Sequence, residues 1–182
     1  RRYRYISSTQ KEGVNKMIVV SDTTPLISLL KIDRVEILEK LFGEVVLPEE
    51  VFTELTSNKR YRTEADKIKS KNFITTKNIL NAASVDILKR ATGLDLGESA
   101  AIILADEIQA DLLLMDEIKG RNVSKQMGHR IMGTIGVLMA AYEENELTAE
   151  EVKECIEGLK LAGRHIGQKY YRLLLEKLKE EN

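Results

Sequence analysis

Four carboxylates stand where a carboxylate is costly to place. Asp22 follows the apolar run Met17-Ile-Val-Val20 and Ser21, and Asp116 closes the run Asp111-Leu-Leu-Leu-Met115. Runs of this kind predict buried parallel strands. Acids at their ends would project into the crevice beyond the carboxyl edge of a sheet, where α/β folds place their ligands. Glu54 and Glu98 fall in helical stretches. Glu54 lies three residues after Val51 and beside Leu55, and Glu98 precedes Ala101, Ile102 and Ala105 at helical spacing, which sets it on the inward stripe. An inward charge is costly unless it is paired or metal-bound, and carboxylates gathered together repel unless a cation or a proton intervenes. Four of them would make an oxygen-rich site suited to Mg²⁺ or Mn²⁺. His129, His165 and Cys155 are the only histidines and thiol, so a zinc site is not expected.

Each acid also has a local reading. Asp22 could serve the turn before Thr24-Pro25, Glu98 could only complete a capping box with Asp95, Glu54 could be solvated, and Asp116 could cap a helix with Glu117 in its first turn. Periodicity alone does not decide between these readings and a shared site.

The elements that must position the four acids are legible along the chain. Thr24 followed by Pro25 predicts a helix start, with the helix running to about Lys31. Asp33 is expected to cap a second helix with Val35, Ile37, Leu38 and Leu41 on its apolar face, stopped by Gly43. Glu44–Leu47 predicts a strand and Pro48 the start of a helix. Residues 60–71 predict a helix, 73–76 a strand and 80–90 a helix. Asp95-Leu-Gly-Glu98 has the form of a capping box and starts a helix to about Ile108. A helix near 121–127, a strand at 130–132 and helices near 135–144, 148–159 and 167–179 complete the series, with Thr148 and Glu151 forming a second capping box. Strands alternate with helices through short connections, which predicts a parallel sheet sandwiched between helices.

Size and charge set bounds. The 182 residues suit one domain. A lone cysteine allows no intramolecular disulfide and predicts a reducing, cytoplasmic setting. Residues 1–16 are polar and unpatterned and read as a leader or tag. They hold five of the 28 basic residues and one of the 29 acidic ones, so the remainder carries a net charge of −5. Such a chain does not attract nucleic acid as a whole, and any nucleic acid would be held by local cations or bound metal. No apolar run approaches the ~20 residues of a membrane helix.

Four short motifs, in order, add to this. Val20-Ser-Asp-Thr-Thr-Pro-Leu26, Val51-Phe-Thr-Glu-Leu55, Leu94-Asp-Leu-Gly-Glu-Ser-Ala-Ala101 and Leu113-Leu-Met-Asp-Glu-Ile-Lys-Gly-Arg121 together resemble the PIN domain, especially the toxin-like branch of prokaryotic toxin–antitoxin pairs. The resemblance is best over residues 17–136, and the helical tail resembles an extension seen in one subgroup. It implies a three-layer α/β/α sandwich with a mainly parallel sheet at 17–147. A C-terminal helical extension at 148–182 would pack on the same domain. It implies a Mg²⁺- or Mn²⁺-dependent endoribonuclease whose acids are Asp22, Glu54, Glu98 and Asp116. Of these, Asp22, Glu98 and Asp116 would hold metal, with Glu117 in place of a second acid, Thr23 as a small hydroxyl beside the metal and Arg121 as a recurring arginine. The RNA, a separate antitoxin and a homodimer are the expected partners.

Lys119, Arg121 and Lys125 are candidate phosphate contacts, or else a solvated basic helix face. Cys155, with Val152 and Leu159, and Val137, Leu138 and Met139 read as core, and His129 as structural. Ile166, Tyr170, Leu173, Leu174 and Leu178 form an apolar stripe that covers the core or meets a partner. A receiver domain would share the strand ending in Asp116 but wants an acidic pair after its first strand, where Asp22 has only Ser21 and Thr23 beside it. An aspartate phosphatase wants a second acid where Thr24 stands. A non-catalytic binding protein on the same fold is the remaining alternative. Neither GxxxxGK[ST] nor GxGxxG occurs.

Overall fold

Asp22 ends the first strand of a five-stranded, all-parallel sheet in the computed structural model, which describes residues 17–57, 62–164 and 168–180. The leader at 1–16, Ile166, and the side chains of Tyr170 and Leu173 lie outside the described residues. The strands are β1 Val19–Ser21, β2 Val45–Pro48, β3 Ile74–Lys77, β4 Leu112–Leu114 and β5 Ile131–Met132. The helices are α1 Thr23–Lys31, α2 Ile37–Phe42, α3 Glu49–Ser57, α4 Arg62–Lys69, α5 Ala82–Thr92, α6 Leu96–Glu107, α7 Ile118–Gln126, α8 Thr134–Glu143, α9 Ala149–Leu161 and α10 Gln168–Glu180.

The strand order is β3-β2-β1-β4-β5. The chain builds outward from β1 in one direction, then returns to place β4 on its other side. The order therefore reverses between β1 and β4, the switch point at which open α/β sheets bind ligands. A receiver domain has the order 2-1-3-4-5, so the topology departs from that rival. Pairing of Val19 with Leu112, Val20 with Leu113 and Ser21 with Leu114 brings the ends of β1 and β4 level. Asp22 and Met115 thus emerge side by side.

Alternation along the strands sorts the core into two layers. Val19, Val45, Leu47, Leu112 and Leu114 face a cluster built from α1, α2, α3, α8, α9 and α10. Val20, Val46, Leu113 and Met115 face the other way, onto Ala101, Ile102, Leu104 and Ala105 of α6. The sheet is buried on both faces, which is why its central strands read as unbroken apolar runs. The fold is the expected α/β/α sandwich.

The C-terminal helices belong to the first layer. Val152, Cys155, Ile156 and Leu159 of α9 and Leu174 and Leu178 of α10 are buried in the same cluster as α1. A Cβ on Gly158 would stand 3.1 Å from Cγ2 of Ile32, so α9 lies close on the end of α1. The Tyr171 hydroxyl donates to Glu157 at 2.8 Å and Lys160 sits over the Tyr171 ring, joining α10 to α9.

Three local expectations are corrected. The cap of α1 is Asp22 rather than Thr24, and Pro25 falls within the first turn, where a missing N–H costs no hydrogen bond. Asp33 takes a left-handed conformation (φ 55°) in the turn between α1 and α2, and Glu36 precedes α2. Pro48 ends β2 and α3 begins at Glu49.

The burial of Leu178 at 0% exposure makes α10 a wall of the core. Leu178→Ala should lower unfolding free energy by about 2–5 kcal/mol, read as a lower urea midpoint at unchanged slope. An unchanged midpoint would show that α10 lies outside the cooperative unit.

Candidate active site

At the switch point Asp22 meets two demands at once. Its backbone N–H donates to the carbonyl of Leu114 at 3.0 Å, fixing it between the central strands. Its extended backbone (φ −77°, ψ 168°) then turns the chain into α1 as N-cap. The side chain is left 3% exposed at the start of a helix. It makes no capping hydrogen bond of good geometry. Burial pushes its pKa up to about 7, the charges of Asp95 and Glu98 push the same way, and the amides of Thr23 and Thr24 oppose the shift without cancelling it.

Asp22 opens onto a cleft of about 100 Å³. Thr23, Thr24 and Ile27 of α1 line it on one side, with Glu54 of α3, Asp95 and Glu98 at the start of α6, Glu117 before α7, and Arg164 after α9. The Thr23 hydroxyl oxygen is buried with no hydrogen-bond partner.

The start of α6 serves two purposes. Asp95 accepts from the Glu98 amide at 2.8 Å, and Glu98 Oε2 accepts from the Asp95 amide at 3.0 Å, completing the capping box. That uses only one Glu98 oxygen. Oε1 points toward Gly120 of α7, where a Cβ would come within 2.8 Å of it and within 2.4 Å of Met115 Sδ. The capping and inward readings of Glu98 therefore both hold. Glu98 is 8% exposed, and burial raises its pKa, as do Asp95 and Glu117, while the Asp95 amide and Lys119 lower it.

Glu54 sits on the exposed edge of α3, beyond the buried Val51 and Leu55. Its carboxyl folds back over α6: a Cβ on Gly97 would lie 3.0 Å from Glu54 Oε2 and 3.5 Å from Asp22 Oδ1. Loss of hydration at the cleft raises its pKa, with Asp95 adding. Two glycines of ordinary helical backbone thus leave the space that the three acids occupy.

The other expected residues take different places. Asp116 is not on the cleft wall. Its Oδ1 accepts from the Thr134 amide at 2.7 Å and its Oδ2 from the Thr134 hydroxyl at 2.6 Å, so both oxygens hold the start of α8. The parallel strand delivers it to the right edge, but α8 begins beside it and claims it. Glu117, one residue on, lines the cleft instead. Arg121 Nη1 donates to the Met115 carbonyl at 3.1 Å, and a Cβ on Gly133 would press on both Arg121 and Asp116. Lys119 Nζ donates to the Gly93 carbonyl at 2.8 Å, closing the end of α5. Lys125 is exposed in the last turn of α7. His129 lies ahead of β5 and donates its amide to the Ser124 carbonyl. Sequence reasoning missed Asp95 as a member of the cleft, having treated it as a cap only, and missed Arg164 altogether. The capping-box spacing carried the signal for the first, and no local pattern marks the second.

The donor set is all oxygen: carboxylates of Asp22, Glu54, Glu98 and Glu117 and the orphaned Thr23 hydroxyl. That chemistry fits a hard divalent cation. Among the described residues no three His, Cys, Asp or Glu side chains stand at ligand distance from a common point, so a bound cation would draw these carboxylates inward. Also among the described residues, no helix is long and apolar enough to cross a membrane.

A family model described as DUF3368, PIN domain, matches residues 18–180. No curated protein matches the chain significantly.

Two outcomes follow from the geometry. In the unfolded chain the Asp22 carboxyl titrates near its ordinary 3.8, and in the folded one near 7. Between these values the folded chain holds a proton the unfolded chain has lost, so stability falls as pH rises through this window and the loss is complete above it. Asp22→Asn should therefore raise the melting temperature at pH 8 without added metal by roughly 5 °C or more, with the gain gone near pH 4. Equal gains at both pH values would mean the carboxylate is not strained by burial. Gly120→Ala would ordinarily gain about 1 kcal/mol of helix propensity. Here crowding of buried Met115 and Glu98 should cost about 1–3 kcal/mol and weaken Mn²⁺ binding in calorimetry, and a more stable variant with unchanged Mn²⁺ affinity would contradict the packing described.

Proposed function

Because the chain belongs to the PIN domain family, whose members are generally nucleases, we propose that it is a divalent-metal-dependent endoribonuclease acting on single-stranded RNA. The observation that carries this is the acidic cleft itself. A buried carboxylate titrating near 7 faces Asp95 and Glu98 at the topological switch point, a costly arrangement that a cation relieves.

Asp22 and Glu98 would hold the ion, with Glu54 and Glu117 reaching it directly or through water. Mg²⁺ or Mn²⁺ bound there supplies an acidified water and stabilises charge on the leaving oxygen. The protein's own part is placement. The Leu114 carbonyl and the turn into α1 hold Asp22 fixed. The capping box fixes Glu98 through Oε2 and leaves Oε1 uncommitted beside Gly120. Glu54, on a longer and more exposed arm, would orient water and accept its proton. Asp116 accepts from Thr134 at the start of α8 and stands one residue before Glu117, outside the lining of the cleft. Lys119 on α7 gives a basic group near Glu98, with Lys125 exposed farther along the helix, and such local cations are what a chain of net charge −1 needs to hold a polyanion.

The likeness of the four motifs to the toxin-like branch supports a role as the toxin of a toxin–antitoxin pair, cytoplasmic and dimeric, with the antitoxin a separate chain.

Cleavage of a labelled single-stranded RNA pool, with Mg²⁺, Mn²⁺ or EDTA, tests the proposal. Wild type should cut with either metal, EDTA should stop it, and Asp22→Asn should lose it. Equal cutting by wild type and Asp22→Asn would place the activity elsewhere, and a folded wild type that binds Mn²⁺ yet cuts no RNA would leave the substrate assignment refuted.

A further inference from the structure

We propose that Arg164, from the segment after α9, is a substrate-contacting residue that grips an RNA phosphate in the cleft, so that the C-terminal helices complete the active site. This rests on the nuclease reading above and names a part of it.

Arg164 is the one cationic side chain among the described residues that line the cleft, where it faces Asp22, Glu54, Asp95, Glu98 and Glu117. An arginine among five carboxylates would ordinarily pair with one. No ion pair forms between Arg164 and any described residue, and its Nε is buried without a hydrogen-bond partner. A buried N–H left without an acceptor costs free energy, and the cost is recovered when a ligand supplies the acceptor. The guanidinium is a rigid, permanently charged fork matched to the paired oxygens of a phosphate.

Its position is held firmly. The Arg164 amide donates to the Leu159 carbonyl at 2.9 Å, closing the end of α9, and the close contact of Gly158 with Ile32 fixes α9 against α1. The helix that starts at Asp22 and the segment that carries Arg164 are thus parts of one packed unit, with the acids on one wall and the cation on another. A phosphodiester between them would meet the metal-binding carboxylates on one side and the arginine fork on the other. The bland alternative is that Arg164 only offsets repulsion among the acids. That role predicts a different response to mutation, because removing a neutralising charge would unsettle the acids and change their hold on metal.

The experiment compares wild type, Arg164→Gln and Arg164→Lys in three measurements. These are Mn²⁺ binding by calorimetry, Mn²⁺-dependent cleavage of a defined single-stranded oligoribonucleotide, and binding of that oligonucleotide across a salt series. Losing one charge-assisted contact should lower kcat/KM of Arg164→Gln about 10- to 100-fold. The slope of log affinity against log salt should shrink by about 0.7, one phosphate contact. Arg164→Lys, keeping the charge without the fork, should recover part of the loss. Mn²⁺ binding should persist and the melting temperature should stay at the wild-type value. Cleavage and RNA binding by Arg164→Gln equal to wild type would overturn the inference while the nuclease reading stands. A lower melting temperature in Arg164→Gln without added metal, with RNA binding unchanged, would also overturn it, in favour of charge balance. A wild type that neither cuts nor binds the RNA would remove the nuclease reading and this inference with it.

Discussion

The burial of one carboxylate at the reversal of the sheet is the constraint on which the rest of the structure depends. Asp22 cannot be moved outward, because its backbone is part of the β1–β4 ladder and the first residue of its helix follows at once. Its charge is therefore fixed in a place from which water is largely excluded. Every neighbouring element answers that fact with polar or acidic groups: α3 with Glu54, α6 with Asp95 and Glu98, the β4–α7 junction with Glu117. A single buried acid of this kind could be a structural accident resolved by a proton. Several, from elements far apart in sequence, amount to a site.

The start of α6 shows how such a site is kept at low cost. A helix N-terminus has unsatisfied N–H groups and a partial positive charge, both of which favour nearby carboxylates. The capping box uses that preference to hold two acids in fixed geometry while one Glu98 oxygen stays uncommitted. Stability and chemistry draw on the same pair of residues. Gly97 and Gly120 contribute by what they lack, since a methyl group on either would meet a carboxylate oxygen.

Much of this was legible in the sequence because it is local. The strand runs, both capping boxes and the inward position of Glu98 follow from spacing over a few residues, and the structure has them. Errors of up to three residues at helix starts arose where several plausible caps stood close together, as before α1 and α2, and at α7, which begins at Ile118 rather than near 121. Asp22, Thr23 and Thr24 are all good caps, and only the β1–β4 register chooses Asp22. The position of Asp116 was illegible for another reason: whether it faces the cleft depends on where α8 starts, and Thr134 lies eighteen residues away. Arg164 was more distant still, brought in by the packing of α9 on α1, which no pattern around residue 164 encodes.

That packing also bears on how the protein comes into being. Chains are made from the N-terminal end, and domains fold as units. Asp22, Glu54 and Glu98 are all synthesised before α9 and α10, which share a core with α1. A nascent chain thus carries the acids while the cluster behind them still lacks the residues of α9 and α10. The cleft therefore closes late: the wall that carries Arg164 is made after every acid that lines it. In a chain made in this order the carboxylates stand together before the cation that shares their cleft exists, so the charge balance of the cleft is a property of the finished fold alone.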